Sequence, residues 1–357
     1  MVFKRTIAAV ATCFALNGAV VALPAAAQTD AAQAPQAQPA NPSAQATPPA
    51  TPPQTATPLD VYVVNPEDLL DYNKTIVVPT AYVTLLTEGR VTARKQSGMF
   101  QRGNASALAS ANFKVDGIDK AFAQSLAQKA YDDFVAKLRA AGYTVLTYAD
   151  IRDRDAIKNA QREKGDGPIG LPAKSESGSS FAIAAPSDEQ YFKSALGWGV
   201  FAEFVQSGRL VITDATLLIP QYTIAAPQVW GEGSRGYGSV SAEVKVVHGM
   251  NLLTASANWM GKPKSRVMRG APGVQTKQQI INVTEKAGTL QQTANTTPQA
   301  ANAVSGVLSM LSGAGNIQRS SGNYAFTIDR DAYTAGAMNG ISRFNAEVAK
   351  AAAEAKP

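Results

Sequence analysis

The chain is poor in residues that carry thiol or imidazole chemistry. Its 357 residues include one cysteine, Cys13, and one histidine, His248. A disulfide needs two cysteines, and a cysteine–histidine zinc site needs more ligands than this pair supplies. We therefore predict no metal site and no cofactor, and we assign no catalytic residue. A Ser-His-Asp triad would have to use His248, but no G-x-S-x-G motif accompanies it, and its predicted place at a hairpin tip favours a solvated or capping role.

Charge is also scarce. Charged residues make up 17% of the chain, and the formal net charge is +6. Lys4 and Arg5 supply two of these charges, so residues 28–357 carry +4 (6 − 2 = 4). A net positive charge this small does not indicate nucleic-acid binding, which needs clustered lysine and arginine residues. It is compatible with weak affinity for an anionic glycan or lipid headgroup.

One glycine-rich string matches the dinucleotide-binding fingerprint, Gly231-x-Gly233-x-x-Gly236. The fingerprint functions only where a strand leads into a helix whose N-terminus faces the pyrophosphate. Residues 239–247 alternate apolar and polar side chains as a strand does, so we interpret the string as a glycine-rich hairpin or loop.

The first 27 residues have the three parts of a secretory signal peptide. Lys4 and Arg5 form a positive start, an apolar run extends from Ile7 to Leu23, and Ala25-Ala26-Ala27 supplies a cleavage site. We predict export to the bacterial periplasm or the periplasmic side of the outer membrane. A retained membrane anchor is the alternative, but the apolar run is short and interrupted by polar residues. Cleavage would remove the only cysteine.

The best-specified folding unit extends from Ser106 to Tyr148. In residues 106–115 every second side chain is apolar, which is typical of a strand with one face on a core. Asp119 is the predicted N-cap of a helix at 119–139 with one apolar stripe, and Gly142 stands where a C-terminal glycine cap belongs. The order strand, helix, strand predicts one of two arrangements, a right-handed crossover or a helix packed on one face of a mixed sheet.

The fold class that follows is α+β, with α/β-like features. We predict a mixed, mainly antiparallel sheet on which the crossover helix (119–139) and a C-terminal helix (330–350) pack. The tail from Ala349 to Pro357 is expected to fray. Four apolar side chains of the central unit are expected to share one interior, namely Phe113, Phe122, Val135 and Val145.

The remaining strands are predicted from alternation and turn residues. Residues 75–92 form the longest β-rich stretch, with Pro79 placing its beginning at a sheet edge, and they are expected to lie antiparallel to 106–115. Further strands are predicted at 209–219, 222–230, 239–247 and 252–260. We expect these to pair as a meander across turns at 231–238 and 248–251.

These elements divide the chain into five parts. Residues 28–58 are almost all Ala, Gln, Pro, Thr and Ser. This composition supplies too little apolar surface to form a core, so we predict a disordered spacer. The parts are a signal peptide (1–27), a linker (28–58), a main α/β domain with long β-hairpins (59–270), a polar low-complexity insertion with a short helix (271–322), and a strand and C-terminal helix that complete the main domain (323–357).

Two sets of residues are candidates for function. Asp150, Asp153 and Asp155 form the densest carboxylate group, and a glycosidase uses two carboxylates at the correct separation. Basic residues interleave with them on a predicted helix, which is typical of a solvated, ion-paired face. The second set could line a glycan or lipid groove or contact anionic headgroups, although core packing is the default for tryptophan. It comprises Trp198, Trp230, Trp259, Lys262, Lys264 and Arg266.

In the order of its elements alone, the chain resembles the periplasmic α/β domains of curli-secretion-type and TolB N-terminal-type envelope proteins. No residue motif carries this resemblance, and no site residue follows from it. The residues favour a non-catalytic exported protein that binds an envelope glycan, lipid headgroup or envelope protein, or supports envelope or secretion assembly. The alternatives are a carboxylate-based hydrolase acting on glycans and an oligomeric membrane-inserting assembly built from the 209–260 hairpins.

Overall fold

The computed structural model describes residues 59–64, 74–96, 106–175, 178–192, 215–236, 239–260, 273–277, 280–284, 286–295 and 317–354. All of them belong to the unit Thr57–Pro357. The predicted signal peptide and linker lie outside the described residues, as does the short helix predicted within 271–322.

Fifteen strands, four α-helices and one 3₁₀-helix (Asp188–Gln190) are formed by the described residues. The strands are β1 (Val61–Val64), β2 (Thr75–Val78), β3 (Tyr82–Gln96), β4 (Ser106–Asp116), β5 (Thr144–Thr147), β6 (Leu171–Lys174), β7 (Ser180–Ala184), β8 (Thr216–Ala225), β9 (Gln228–Gly236), β10 (Ser239–Val247), β11 (Met250–Met260), β12 (Gly273–Thr276), β13 (Ile280–Thr284), β14 (Gly288–Asn295) and β15 (Ile317–Ile328). The helices are α1 (Lys120–Ala140), α2 (Tyr148–Ile151), α3 (Asp155–Lys158) and α4 (Arg330–Glu354).

Thirteen strands form one sheet, and β9 and β10 form a separate hairpin. The main path through the large sheet is β1-β12-β11-β8-β3-β4-β15-β14. Four strand pairs are parallel (β15 with β4, β2 with β5, β2 with β8, and β3 with β8), and the other nine are antiparallel. The prediction of an α+β fold with a mixed, mainly antiparallel sheet is therefore confirmed.

Helix α1 (Lys120–Ala140) agrees with the predicted range 119–139 to within one residue at each end, and Asp119 is its N-cap as predicted. The Asp119 carboxylate accepts a hydrogen bond from the Phe122 amide at 2.8 Å, which satisfies a donor of the first turn. Gly142 has a φ of +82°, the left-handed conformation that a glycine beyond a helix C-terminus adopts without strain. The buried face of α1 contains Phe122, Leu126 and Val135, as the apolar stripe predicted.

Both long helices pack on one face of the sheet and enclose the larger hydrophobic core. Phe113, Phe122, Val135 and Val145 all belong to this core, as predicted. Residues on α4 at helical spacing face the same core, including Tyr333, Ile341 and Phe344. The predicted interior between a sheet and two helices is thus present.

The connection through α1 is the second of the two predicted arrangements. β4 is antiparallel to β3, whereas β3, β8, β2 and β5 follow one another in parallel. β4 and β5, which α1 connects, therefore run in opposite directions and are not neighbours. A right-handed parallel crossover is excluded for this pair, and α1 is a helix packed on one face of a mixed sheet.

A smaller core lies on the other face of the sheet. Val77, Tyr82 and Leu217 point to this face and pack against Ile151 and Phe192 from the segment 148–192. The Tyr82 hydroxyl donates to the Gln190 carbonyl at 3.0 Å and accepts the Phe192 amide at 2.9 Å. This segment therefore covers the sheet over β2 and β8.

The predicted strand at 75–92 is two strands that separate at Pro79. β2 pairs with both β5 and β8, so the prediction that this stretch begins at a sheet edge is wrong. Proline is tolerated because it follows β2 and its missing amide removes no ladder hydrogen bond. The predicted antiparallel pairing of 75–92 with 106–115 is confirmed for Glu88–Gln96 of β3 against β4.

The strand boundary predicted at Pro220 is wrong. β8 continues through Pro220, which lies opposite Ala257 of β11. On the other side of β8, residues 216–217 pair with β2 and residues 221–224 pair with β3. Pro220 lies between these two pairings, where no partner strand requires its missing amide.

The predicted meander is only half correct. β9 and β10 pair as expected, but β9 continues through Gly236, well into the range 231–238 that was predicted to be the turn. β11 does not continue the meander, because it pairs with β8, β12 and β13 rather than with β10. The β9–β10 hairpin is thus inserted between two strands that pair with each other.

Polar composition did not prevent residues 271–322 from joining the sheet. The described part of this range forms β12, β13, β14 and the first half of β15. Helix α4 also extends further than predicted. Ala351 and Ala352 are buried, and the Tyr143 hydroxyl donates to the Ala352 carbonyl at 2.6 Å, so the expectation that the tail frays from residue 349 is wrong.

Candidate functional site

Of the six predicted binding residues, the structure describes the side chain of one. Trp259 is 2% exposed and belongs to the larger core, so its ring cannot line a surface groove. Trp230 lies on β9, but its side chain is outside the described part of the chain. Trp198, Lys262, Lys264 and Arg266 also lie outside the described residues.

The carboxylates of residues 150–155 lie on exposed turns. The predicted helix is two separate turns, α2 and α3. The Asp150 carboxylate accepts hydrogen bonds from the Thr147 hydroxyl and amide, both at 2.7 Å, and these bonds lower the pKa of Asp150. Asp153 and Asp155 are exposed, and Asp153 lies 3.8 Å from Arg152. The structure thus gives Asp150 a capping role.

His248 and the glycine-rich string have the roles that the sequence favoured. His248 is exposed between β10 and β11, with its Nδ1 atom 3.2 Å from the Gly288 carbonyl oxygen. Gly231, Gly233 and Gly236 all lie within β9 and pair with residues of β10. A strand follows the string where a nucleotide site would need a helix, so the hairpin interpretation is confirmed.

A polar surface that the sequence did not single out lies on the sheet face opposite α1 and α4. On β4, Phe113 and Val115 point into the larger core, so the alternate residues Asn112 and Lys114 point away from it. We define the outward face by the polar side chains on this side of β3, β4 and β15, which are Glu88, Arg90, Asn112, Lys114, Asp116 and Asn323.

Strand register aligns three of these side chains in one row. Asn112 lies directly opposite Arg90 of β3 on one side and Asn323 of β15 on the other. Directly opposed residues of neighbouring strands point to the same face. The Asn112 amide donates from Nδ2 to Asn323 Oδ1 at 3.0 Å, which fixes the relative orientation of the two side chains.

The adjacent row carries opposite charges. Glu88 lies directly opposite Lys114, and Lys114 Nζ is 3.4 Å from the Asp116 carboxylate. The side chains of Lys114 and Asp116 are 65% and 46% exposed, so this ion pair contributes little to stability. The ion pair matters here because the Asp116 carboxylate partly neutralises the positive charge of Lys114.

A groove of about 530 Å³ opens on the outward face. The six residues of the outward face line it, together with Gly178 from the β6–β7 connection and Thr293 on β14. The lining is completed by Gly89, Phe113, Tyr324 and Ala325 of the same three strands. Small-molecule sites commonly have volumes of about 300–1,000 Å³. Thr293 donates from its hydroxyl to the Asn323 carbonyl at 3.2 Å.

Aromatic rings are directed away from the groove. A Cβ atom placed on Gly89 would lie 2.2 Å from Cζ of Phe113, which shows that the Phe113 ring covers Gly89 on the core side. Tyr324 is opposite Phe113 in register and therefore shares its face. The outward face thus presents amides and charges without an aromatic stacking surface.

The outward face offers amides, two carboxylates and two cations. The groove lining contains no cysteine or histidine, and its one aliphatic hydroxyl, that of Thr293, donates to a backbone carbonyl rather than to a base. Alternation along β4 revealed Asn112 and Lys114 as polar positions, and the predicted pairing of 75–92 with 106–115 places Arg90 opposite Asn112. The contact of Asn112 with Asn323, however, depends on pairing between residues 211 positions apart. No local sequence signal specifies that pairing.

Among the described residues, no group of three or more His, Cys, Asp or Glu side chains is placed to hold a metal ion. No helix in the described ranges combines the length and apolar character needed to cross a membrane. No protein-family model, curated protein or solved structure matches this chain. The fold and the outward face define it as an α+β protein with a polar groove on its mixed sheet.

Proposed function

We propose that this chain is an exported, non-catalytic protein that binds an envelope component through the outward face. It acts in the periplasm or on the periplasmic side of the outer membrane. The signal-peptide pattern of residues 1–27 and the absence of cysteine from residues 28–357 support export. Binding could serve assembly of the envelope or of a secretion apparatus.

One observation carries the binding proposal. Arg90, Asn112 and Asn323 project side by side from three adjacent strands into an open groove. Side chains on paired strands of a packed sheet are held at fixed spacing, which is the preorganisation that a recognition site needs. Polar side chains that serve only to keep a surface hydrated do not need to be aligned along a groove.

The proposal is tested by locating the protein and identifying its companions. Cell fractionation should recover a processed chain that begins near Gln28 in the periplasm or in outer-membrane fractions. Pull-down from envelope extract should retain a partner that is lost with the double variant Asn112→Ala/Asn323→Ala. Thr92→Ala is the matched control, because Thr92 is exposed on the same side of β3 but does not line the groove. A cytoplasmic chain, or a partner retained equally by all three proteins, would refute the proposal.

The hydrolase alternative predicts a different result. If the purified chain turns over a glycan, and if replacing Asp150, Asp153 and Asp155 together abolishes turnover without unfolding the protein, the chain is an enzyme. The membrane-inserting alternative uses the hairpins of residues 209–260, and a large oligomer that depends on detergent would support it, whereas a monomer in plain buffer would count against it. Neither alternative gains a specific observation from the described residues.

A further inference from the structure

We infer that the outward groove binds an uncharged glycan strand. This inference rests on the proposed function, because it assigns a ligand class to the same face. Three properties of the groove support it, namely its unused hydrogen-bonding groups, its charge balance and the scarcity of apolar side chains that face it.

The row across the three strands keeps both donors and acceptors available. After the bond between Asn112 Nδ2 and Asn323 Oδ1, Asn112 Oδ1 remains an acceptor and Asn323 Nδ2 remains a donor. The Arg90 guanidinium, a pure donor, has no hydrogen bond or ion pair among the described residues. Alternating donors and acceptors match sugar hydroxyl groups, since each hydroxyl both donates and accepts.

The charges that line the groove balance. Arg90 and Lys114 are opposed by Glu88 and Asp116, so the formal charge of the lining is zero (2 − 2 = 0). An anionic headgroup or an acidic sugar would approach two carboxylates as well as two cations. A neutral ligand meets no such repulsion, and its hydroxyls can donate to the carboxylates and accept from the cations.

A protein partner fits the groove less well. Stable protein interfaces have an apolar centre that is enriched in aromatic side chains. Ala325 is the only apolar side chain that joins the lining from the outward side of β15, since Phe113 and Tyr324 direct their rings to the other face. The groove therefore offers hydrogen bonds without a hydrophobic anchor, and we expect affinities of about 1 mM for short oligosaccharides.

The experiment is a titration of the purified chain, followed by NMR or calorimetry, with a β-1,4-linked glucose hexamer as the neutral probe. Its uronic-acid counterpart and vesicles containing phosphatidylglycerol are the competing probes. We expect the neutral hexamer to bind and Asn112→Ala to weaken binding about fivefold to tenfold, the loss expected for one or two hydrogen bonds. Thr92→Ala should leave binding unchanged, and matching melting temperatures should show that each variant is folded.

The outcomes separate this inference from the proposed function. The inference is overturned if the neutral hexamer does not bind, if the uronic acid binds more tightly, or if Asn112→Ala leaves hexamer binding unchanged. If Asn112→Ala instead abolishes binding of vesicles or of a pulled-down envelope protein, the outward face is a binding site and only the ligand class is wrong. If Asn112→Ala affects no interaction, both proposals fail.

Discussion

At the scale of single residues, one polar network joins the two long helices to the sheet. The half-buried Asp133 carboxylate accepts hydrogen bonds from Lys137 at 2.5 Å, from Ser342 at 3.0 Å and from Asn345 at 2.8 Å. Asn345, fully buried on α4, accepts in turn from the Tyr222 hydroxyl of β8 at 2.6 Å. Because a buried polar group without a partner is destabilising, each member of this network depends on the others.

We predict that Tyr222→Phe destabilises the fold by about 1–3 kcal/mol, the cost of leaving a buried acceptor without its donor. The substitution removes only the hydroxyl and leaves the Asn345 Oδ1 atom unsatisfied, since the Asn345 Nδ2 atom is committed to Asp133. Burial raises the pKa of Tyr222, so its hydroxyl remains a donor at neutral pH. Urea unfolding followed by circular dichroism measures the difference.

Tyr333 supplies the matched control. It is equally buried against the same core, but its hydroxyl has no hydrogen-bond partner in the structure. Tyr333→Phe should therefore be neutral or stabilising. Equal losses of stability in the two variants would show that the Tyr222–Asn345 hydrogen bond contributes nothing specific.

At the scale of elements, Asp119 connects the N-termini of the two long helices. Its carboxylate accepts from the Phe122 amide of α1 and from the Arg330 guanidinium of α4. Arg330 also donates to the Gly117 carbonyl at 3.2 Å and lies over the Phe122 ring. The hydrogen bond from Phe122 and the contact with Arg330 lower the pKa of Asp119.

The lowered pKa predicts how stability depends on pH. A carboxylate whose pKa is lower in the folded state stabilises the fold above its unfolded pKa of about 3.9, and this contribution is lost as the pH falls through the folded pKa. Asp119→Asn keeps a capping acceptor but cannot ionise. We expect its melting temperature to lie below that of the wild type at pH 7 and to approach it as the pH falls below about 4.

The Ala variant at this position separates capping from charge. Asp119→Ala removes both contributions and should melt below Asp119→Asn at neutral pH. A constant difference between wild type and Asp119→Asn from pH 7 to pH 3 would contradict the assignment of the lowered pKa to Asp119.

Arg162 holds the segment that covers the other face of the sheet. Its guanidinium donates to the carbonyls of Glu189 at 2.6 Å, of Ile157 at 3.0 Å and of Ala160 at 3.0 Å. It also lies 5.0 Å from the centre of the Phe192 ring, close enough for a cation–π contact. Lysine cannot reproduce this set, because its ammonium lacks the planar arrangement of donors.

We predict that Arg162→Lys and Arg162→Ala both increase local opening of this segment. Hydrogen–deuterium exchange should rise in residues 155–165 and 187–192 by about tenfold, whereas the strands of the large sheet keep their protection, because local opening does not require global unfolding. Lys158→Ala is the control, since Lys158 is exposed and contributes only its backbone to the contacts of Arg162. Unchanged exchange in Arg162→Ala would show that the smaller core alone holds the segment.

Elements with local signals were predictable from the sequence. The caps and stripe of α1 are set within 25 residues by Asp119, Phe122 and Gly142, and all of these predictions are confirmed. Strand pairing was not predictable in the same way. β11 prefers β8 to its chain neighbour β10 because this pairing places Ala255, Ala257 and the other buried residues of β11 in the main core. The choice of partner strand depends on the assembled core. The alternation of apolar and polar residues along β11 therefore does not predict by itself which strand β11 pairs with.

The candidate site illustrates the same limit. Tryptophans and clustered charges are conspicuous in a sequence, yet Trp259 is buried in the core and Asp150 caps a short helix. The outward face consists of common polar residues whose proximity arises from the antiparallel pairing of β4 with β3 and its parallel pairing with β15. Such a site becomes visible only once the sheet register is known.

At the scale of the whole molecule, the two ends of the described chain contribute differently to the fold. The first described strand is β1, at the end of the sheet path, where it pairs with β12 alone. The last helix, α4, packs on the sheet and against α1, and buries residues as far as Ala352. Removing residues before β1 should therefore affect stability far less than removing the last turns of α4.

We predict that deleting residues 1–58 leaves the melting temperature within about 2 °C of that of the chain lacking only residues 1–27, because it removes no described contact. Deleting residues 348–357 should lower it by about 5 °C or more, because Val348, Ala351 and Ala352 leave the core and Tyr143 loses its hydrogen bond to Ala352. Differential scanning calorimetry compares the two deletions directly. A larger loss from the N-terminal deletion would mean that residues 28–58 contribute to the folded unit, contrary to the spacer role that their composition predicts.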